Sequence, residues 1–112
     1  MKLSKKKAIE LCRALWRSIA RSGVYRKEDA PFWKTHYIDP DTIDLCCFCC
    51  EYMINQKDAT CIVKGCIINW GTRFCTDDES PFSKWDTATT IKERKKWARV
   101  IANLPERKLT RS

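Results

Sequence analysis

The stretch LCCFCCEY, residues 45–52, carries four cysteines within five consecutive positions. Three more, Cys61, Cys66 and Cys75, follow within the next 25 residues. Two thiolates spaced as C-x-x-C converge on one ion and are the usual first half of a tetrahedral zinc site. A chain of 112 residues buries only a modest core, so whatever holds this segment decides the fold. The stretch therefore predicts a domain stapled by a structural zinc ion.

The first half of the zinc site has two candidate thiol pairs with the same spacing. One pair is Cys46 with Cys49, and the other is Cys47 with Cys50. We favour the second pair, because Leu45 and Cys46 can then pack as apolar residues in front of it.

The second half of the site must come from two of the three later cysteines, and none of them forms another C-x-x-C pair. Cys66 and Cys75 bracket Trp70 and Gly71, which suit a tight loop over the ion. Pairing Cys61 with Cys66 is the alternative. The predicted metal ligands are Cys47, Cys50, Cys66 and Cys75, with Cys61 as an alternate.

Three other uses of the thiols stay open: buried free thiols, disulfides from the even count of eight, and an iron–sulfur cluster. Zinc is favoured because the chain is expected to be soluble and cytoplasmic, where disulfides rarely persist. Glu10, Arg13 and Arg17 interrupt the apolar run that a signal peptide would need. No stretch approaches the 18 apolar residues of a membrane span, so no membrane partner is expected.

A first helix is predicted over residues 4–22. Ser4 is a suitable N-cap, and apolar side chains recur at three- and four-residue steps through the segment. Gly23 suits the helix end, because glycine enters the left-handed conformation at little cost. Cys12 lies on the apolar face of this helix, so we expect it in the core and not in the metal site.

A last helix is predicted over residues 90–104. Thr90 followed by Glu93 indicates a capping box, in which each side chain accepts from the other residue's backbone N–H. Pro105 is expected to stop the helix, and residues 105–112 form a basic tail.

Two connecting segments have weaker signals. The segment IDPDTIDL indicates a short helical turn after Pro40 with Asp39 as its cap. The segment TDDESPFSKWD is interpreted as a polar turn anchored by Phe82 and Trp85. The β-branched residues and glycines of CIVKGCIINWG indicate short strands or turns.

These elements predict one domain of the small α-rich (α+β), metal-stapled class. The terminal helices pack together through the faces that carry Trp16 and Trp97, and a cysteine lobe of short strands and turns over residues 45–76 closes one end. The residues expected in the core are Leu15, Trp16, Ile19, Trp70, Trp85, Trp97, Val100, Ile101 and Leu104.

The net charge of +8 is concentrated at the two ends of the chain. Residues 1–27 carry +8 and residues 92–112 carry +6, whereas residues 28–60 carry −5 and residues 61–91 carry −1. Basic stripes on both terminal helices are typical of phosphate binding, although such stripes are also often merely solvated. The candidate nucleic-acid-binding residues are Lys6, Arg13, Arg17, Arg21, Lys92, Lys95, Lys96 and Arg99.

Catalysis is not expected. A catalytic zinc keeps an open position and usually recruits histidine or a carboxylate, but the single histidine, His36, lies outside the cysteine cluster. The His-x-Glu or Cys-x-Glu element of zinc deaminases, the Walker loop and the nucleophile elbow are all missing. No small-molecule substrate is therefore expected.

The segments CFCCEY, CIINWG, PFSKW and WARVIANLPER, with the opening AIELCRALWRSIA, resemble a group of small, cysteine-rich, functionally uncharacterised proteins of bacteriophage and prophage genomes. Cys46, Cys49 and the Cys61 to Cys66 spacing depart from the pattern of that group. The resemblance implies a phage-encoded accessory protein of the host bacterial cytoplasm and implies no particular reaction. The matching positions are Cys47, Cys50, Glu51, Tyr52, Cys66, Trp70, Cys75, Trp85 and Leu104.

Two functions compete. In the first, the basic helix faces bind nucleic acid, and Trp33, His36 or Tyr37 stack on bases where they are exposed. In the second, the chain modulates an acidic host protein, for instance one of defence or transcription. Its anchors would then be an exposed aromatic cluster in residues 31–37.

Overall fold

The computed structural model of this chain describes residues 4–43, 47–54, 67–71, 75 and 77–106, and the side chains of all of these except residues 50, 53 and 54. This part of the chain is rich in helix, as predicted. Two short 3-10 helices span Lys27–Asp29 and Pro40–Thr42. The α-helices are α1 (Lys5–Ser22), α2 (Phe32–Thr35), α3 (Phe48–Ile54), α4 (Pro81–Asp86) and α5 (Ile91–Ala102).

The predicted strands are not found within the described ranges. Residues 67–71 contribute one isolated antiparallel bridge, between Ile68 and Glu106, and the Asn69 N–H donates to the Pro105 carbonyl at 2.9 Å. The coarse prediction of a small helix-rich domain is confirmed. Most of the predicted cysteine lobe, residues 55–66 above all, lies outside the described residues.

Helix α1 begins and ends as its sequence predicts. The Ser4 hydroxyl accepts from the Lys7 N–H at 3.1 Å. Gly23 adopts φ 70° and donates to the Ile19 carbonyl at 2.8 Å. A Cβ at Gly23 would lie only 2.8 Å from a methyl carbon of Ile91. Glycine is therefore required here both by the backbone angle and by the close approach of α5.

Helix α5 begins as predicted and ends two residues early. The Thr90 hydroxyl accepts from the Glu93 N–H at 3.1 Å, which is one half of the predicted capping box. The Glu93 carboxylate accepts from the indole N–H of Trp97 at 3.3 Å instead of returning to Thr90. The helix ends at Ala102, and the Asn103 side chain donates to the Arg99 carbonyl at 2.9 Å. The helix is thus closed before Pro105.

The buried face of α5 differs from the predicted one. Val100 is 37% exposed, and Trp97 and Leu104 are only partly buried against the core. The helix is rotated so that its buried face includes two alanines, and such small side chains allow neighbouring helix axes to approach closely. The buried residues of α5 are Arg94, Ala98, Ile101 and Ala102.

Trp16 packs against α4 and not against Trp97. Its ring centroid lies 4.9 Å from that of Trp85 and 6.2 Å from that of Phe82, both in edge-to-face geometry. The second half of the segment interpreted as a polar turn is therefore a helix, whereas residues 77–80 do form a turn. The first residue of the helix is Pro81, and the Ser80 hydroxyl caps it by accepting from the Ser83 N–H at 3.3 Å.

A second aromatic cluster lies under the other side of α1. Phe48 is fully buried, with its ring centroid 5.6 Å from Phe32 and 5.5 Å from Trp33. The indole N–H of Trp33 donates to the Lys27 carbonyl at 2.8 Å. Trp33 is therefore not free to stack on a base, contrary to the sequence-based suggestion.

Two smaller predictions are confirmed. Cys12 is buried in the core, as are six of the nine residues expected there. The turn after Pro40 forms, and the Asp39 carboxylate caps it by accepting from the Asp41 N–H at 3.0 Å. Among the described residues, no helix combines the length and the apolar character that crossing a bilayer requires.

Candidate nucleic-acid interface

Helices α1 and α5 lie side by side and antiparallel. At one end, Gly23 of α1 touches Ile91 of α5. Further along, a guanidinium nitrogen of Arg13 donates to the Leu104 carbonyl at 3.2 Å. The first contact joins the end of α1 to the start of α5, and the second joins the middle of α1 to a residue just past the end of α5, so the two helices run in opposite directions in a defined register.

On both helices the basic stripe lies opposite the buried face, so the two stripes form one solvent-facing surface. On α1, Arg13 lies at the seam with α5, and helical periodicity puts Lys6 and Arg17 farther from the core on the same side. On α5, Lys95 lies against Gly23 at the seam, and Arg99 continues outward from it. We call this the basic surface. Its residues are Lys6, Arg13, Arg17, Arg21, Lys92, Lys95, Lys96 and Arg99.

Two of these cations also hold the helices together. Arg13 and Lys95 are half-buried, whereas the other six residues of the basic surface are exposed. Arg13 satisfies the carbonyl of Leu104, and the Lys95 stem covers Gly23. The exposed six are therefore the better candidates for contacts with a ligand.

One acidic residue interrupts the stripe of α1. Glu10 is exposed and stands three residues before Arg13 and four after Lys6, so helical spacing places it among the cations. Within the described part of the chain, Arg17 and Arg21 form no ion pair. The positive charge of α1 is thus weakened near its middle and unopposed toward its end.

A groove of about 550 Å³ between α1 and α2 borders the basic surface. Arg17 and Arg21 belong to both features. The Ser18 hydroxyl accepts from the Phe32 N–H at 3.0 Å and so ties the two helices together. The groove is lined by Ala14, Arg17, Ser18, Arg21, Ser22, Pro31, Phe32, Thr35 and His36.

The sequence interpretation missed this groove, because no spacing rule links α1 to residues 31–36. One signal was present. Ser18 is a polar residue on the otherwise apolar face of α1, and a buried hydroxyl indicates a hydrogen-bonding partner from another segment. Of the aromatic residues proposed to stack on bases, His36 and Tyr37 are exposed, Tyr37 to 95%.

The described cysteines occupy different environments. Cys47 precedes α3, is half-buried, and its carbonyl accepts from the Glu51 N–H at 2.9 Å. Cys49 is fully buried in the apolar core. Cys75 is half-buried, and its carbonyl accepts from the Ser80 hydroxyl. Cys12, in the core beneath α1, is free of disulfide bonds.

The predicted metal site is only partly within the described residues. Cys61 and Cys66 lie outside them, as does Cys46, and for Cys50 only the backbone is described. The described side chains alone contain no group of three His, Cys, Asp or Glu arranged to hold an ion. The ligand set Cys47, Cys50, Cys66 and Cys75 therefore stays a prediction.

The structure brings the predicted basic residues of two distant segments onto one surface and adds a groove beside it. It places the aromatic residues Phe32 and Trp33 inside, at 2% and 3% exposure, and leaves His36 and Tyr37 outside. Any assignment of function rests on this geometry, since no family model, curated protein or solved structure matches the chain.

Proposed function

We propose that this chain is a non-enzymatic protein of the cytoplasm that binds nucleic acid through the basic surface. The observation that carries the proposal is the antiparallel register of α1 and α5, which aligns two basic stripes on one side of the molecule. Each stripe alone is an ordinary solvated helix face, whereas the pair presents cations across two adjacent helices.

The spacing of the cations suits a phosphate backbone. Arg13, Arg17 and Arg21 recur about 6 Å apart along α1, because four residues of an α-helix rise about that distance. Lys92, Lys96 and Arg99 form a second row on α5. Neutralised phosphates release counterions, so the affinity is expected to fall steeply as salt is raised.

The test is a titration of labelled double-stranded and single-stranded nucleic acid with the protein. Binding is measured by fluorescence anisotropy at several salt concentrations. If about four cations contact phosphates, log Kd rises with log salt with a slope of about 3.6. The double variant Arg17→Gln with Arg99→Gln is expected to reduce that slope by about 2. Arg26→Gln with Lys34→Gln removes the same charge from exposed positions outside the basic surface, and this control is expected to leave the slope unchanged.

A second pair of variants separates local charge from net charge. Glu10→Lys adds a cation within the basic surface, whereas Asp41→Lys makes the same charge change in the turn after Pro40. Binding is expected to tighten with Glu10→Lys and to change little with Asp41→Lys. Equal effects of the two variants, or no binding to any strand at low salt, would refute the proposal.

The alternative, a modulator of an acidic host protein, has less support. Its expected anchors were the aromatic residues of 31–37, and two of these, Phe32 and Trp33, are buried. Tyr37 is the large aromatic side chain of that segment that stays exposed. If the basic surface binds no nucleic acid, an acidic protein partner becomes the better explanation of its charge.

We propose also that a structural zinc ion is held by Cys47, Cys50, Cys66 and Cys75, with Cys61 as an alternate. Thiolate ligands bind zinc tightly, and such sites contribute directly to folding. Support comes from the partial exposure of Cys47 and Cys75, since neither thiol is fully enclosed in the apolar core.

Metal analysis of purified protein is expected to give about one equivalent of zinc, and a strong chelator is expected to lower the Tm. Cys47→Ser should lose metal. Cys12→Ser is the matched control: it changes a buried core thiol and should lower stability without changing the metal content. Less than about half an equivalent of metal, or a Tm that chelation leaves unaltered, would contradict the proposal.

A further inference from the structure

The groove between α1 and α2 combines two cations with a flat ring. Arg17 and Arg21 are separated by one helical turn, so both guanidinium groups lie along the same wall. The opposite wall carries His36, whose imidazole stacks on Phe32 at 4.1 Å between centroids. Anion-binding groups and a stacking surface thus face one space of about 550 Å³.

The groove is held in shape by hydrogen bonds on both walls. The Ser18 hydroxyl accepts from the buried N–H of Phe32 at 3.0 Å, and the Ser22 hydroxyl donates to the Ser18 carbonyl at 2.8 Å. Nδ1 of His36 lies 3.0 Å from the Phe32 carbonyl. Because a carbonyl oxygen only accepts, Nδ1 carries the hydrogen, and Nε2 is left for a ligand. A preformed site of this kind loses little entropy on binding.

We propose that the groove holds one unpaired nucleotide of a single strand, an inference that rests on the nucleic-acid binding proposed above. The phosphate lies between Arg17 and Arg21, and the base stacks on the exposed face of His36. Guanidinium groups recognise phosphate oxygens through paired N–H donors, and a ring of any base stacks on an aromatic side chain.

The shape of the site selects single strands over duplex. The groove volume lies within the range of small-molecule sites, so one nucleotide fits. A base within a duplex is paired and stacked between its neighbours, and it cannot reach His36 without leaving the helix. The basic surface contacts both kinds of strand, but only an unpaired nucleotide adds the groove contacts.

The test compares a single-stranded oligonucleotide with a duplex of the same length by anisotropy at fixed salt. His36→Ala is expected to weaken single-strand binding by about 5- to 150-fold, the value of one stacked base, and to leave duplex binding unchanged. Ala14→Leu narrows the groove without changing any charge, and it should have the same selective effect. The control Lys92→Gln removes a cation of α5 that does not line the groove, and should weaken both strands alike.

A competition experiment with free nucleoside monophosphate tests whether the groove binds a nucleotide within a strand or a free nucleotide. Displacement of the single strand only at millimolar nucleotide supports a site for a strand, because the strand adds the contacts of the basic surface. Tight binding of the free nucleotide alone would overturn the proposal in favour of a small-molecule site.

The two proposals fail in different ways. If single strand and duplex bind equally, and His36→Ala and Ala14→Leu leave both affinities unchanged, the groove proposal is wrong while nucleic-acid binding stands. If neither strand binds at low salt, both proposals fall together.

Discussion

Helices α1 and α5 lie side by side, begin at hydroxyl caps and carry basic stripes, but their buried faces are built differently. Helix α1 buries large side chains, among them Leu15, Trp16 and Ile19. Helix α5 buries two alanines, one isoleucine and an arginine. Two large apolar residues of α5, Trp97 and Val100, lie at the edge of the core or outside it. Periodicity therefore locates a buried face where large residues form it and misplaces it where small residues do.

The small face of α5 follows from what it must meet. The same helix touches α1 at Gly23 and also packs against α4, so bulky side chains have no room between them. Arg94 fills the space at the edge. Its guanidinium donates to the Ala88 carbonyl at 2.7 Å and lies 3.4 Å from the ring centroid of Tyr25. A residue that a hydropathy pattern assigns to solvent is thus 3% exposed.

The largest expected effect lies in α1. Leu15→Ala removes a side chain that is 1% exposed and leaves a cavity beneath the helix. The free energy of unfolding should fall by about 2–5 kcal/mol. Denaturant titration followed by tryptophan fluorescence measures it. A loss under about 1 kcal/mol would mean that the face of α1 is not the main core.

The second-largest expected effect on stability tests how closely α5 approaches α1. Ala98 is fully buried, and Ala98→Leu inserts three carbons between the helices, which should cost about 1–3 kcal/mol. The matched control is Ala14→Leu on the half-buried groove side of α1, where the same added carbons enter open space. That variant should change the free energy of unfolding by about 0.5 kcal/mol or less. Equal losses at both positions would contradict the rotation of α5 described above.

The smallest expected effect on stability concerns an exposed residue of α5. Val100 belongs to the face that periodicity predicts as buried, but it is 37% exposed. Val100→Ala should therefore change the free energy of unfolding by about 0.5 kcal/mol or less. A loss of unfolding free energy above about 1 kcal/mol, measured by the same titration, would show that Val100 belongs to the core.

Much of the helical frame could be predicted from local chemistry. Ser4, Gly23 and Thr90 mark helix ends through hydrogen bonds to their own neighbours, and such signals do not depend on the rest of the fold. Helix α4 had the same kind of signal in Ser80 and Pro81, but its six residues are too few to show a period. Periodicity alone therefore does not distinguish this segment from a turn.

The candidate site was predictable only in part. Both basic stripes are visible in the sequence, whereas their alignment depends on the contact of Gly23 with Ile91, which joins segments 68 positions apart. The groove depends likewise on the hydrogen bond from Phe32 to Ser18. Long-range contacts of this kind are set by packing, and no local pattern encodes them. The thiol cluster stays a prediction from spacing.

The absence of a side chain at Gly23 has a consequence for the surface charge. Any other residue there would meet a methyl of Ile91 and would also have to hold φ 70°, a strained angle that costs about 1–2 kcal/mol. If the clash is relieved by splaying of the two helix axes at that end, the arginine row is turned away from the lysine row. A single hydrogen atom in place of a methyl group thus keeps two rows of charge parallel along the face of the molecule.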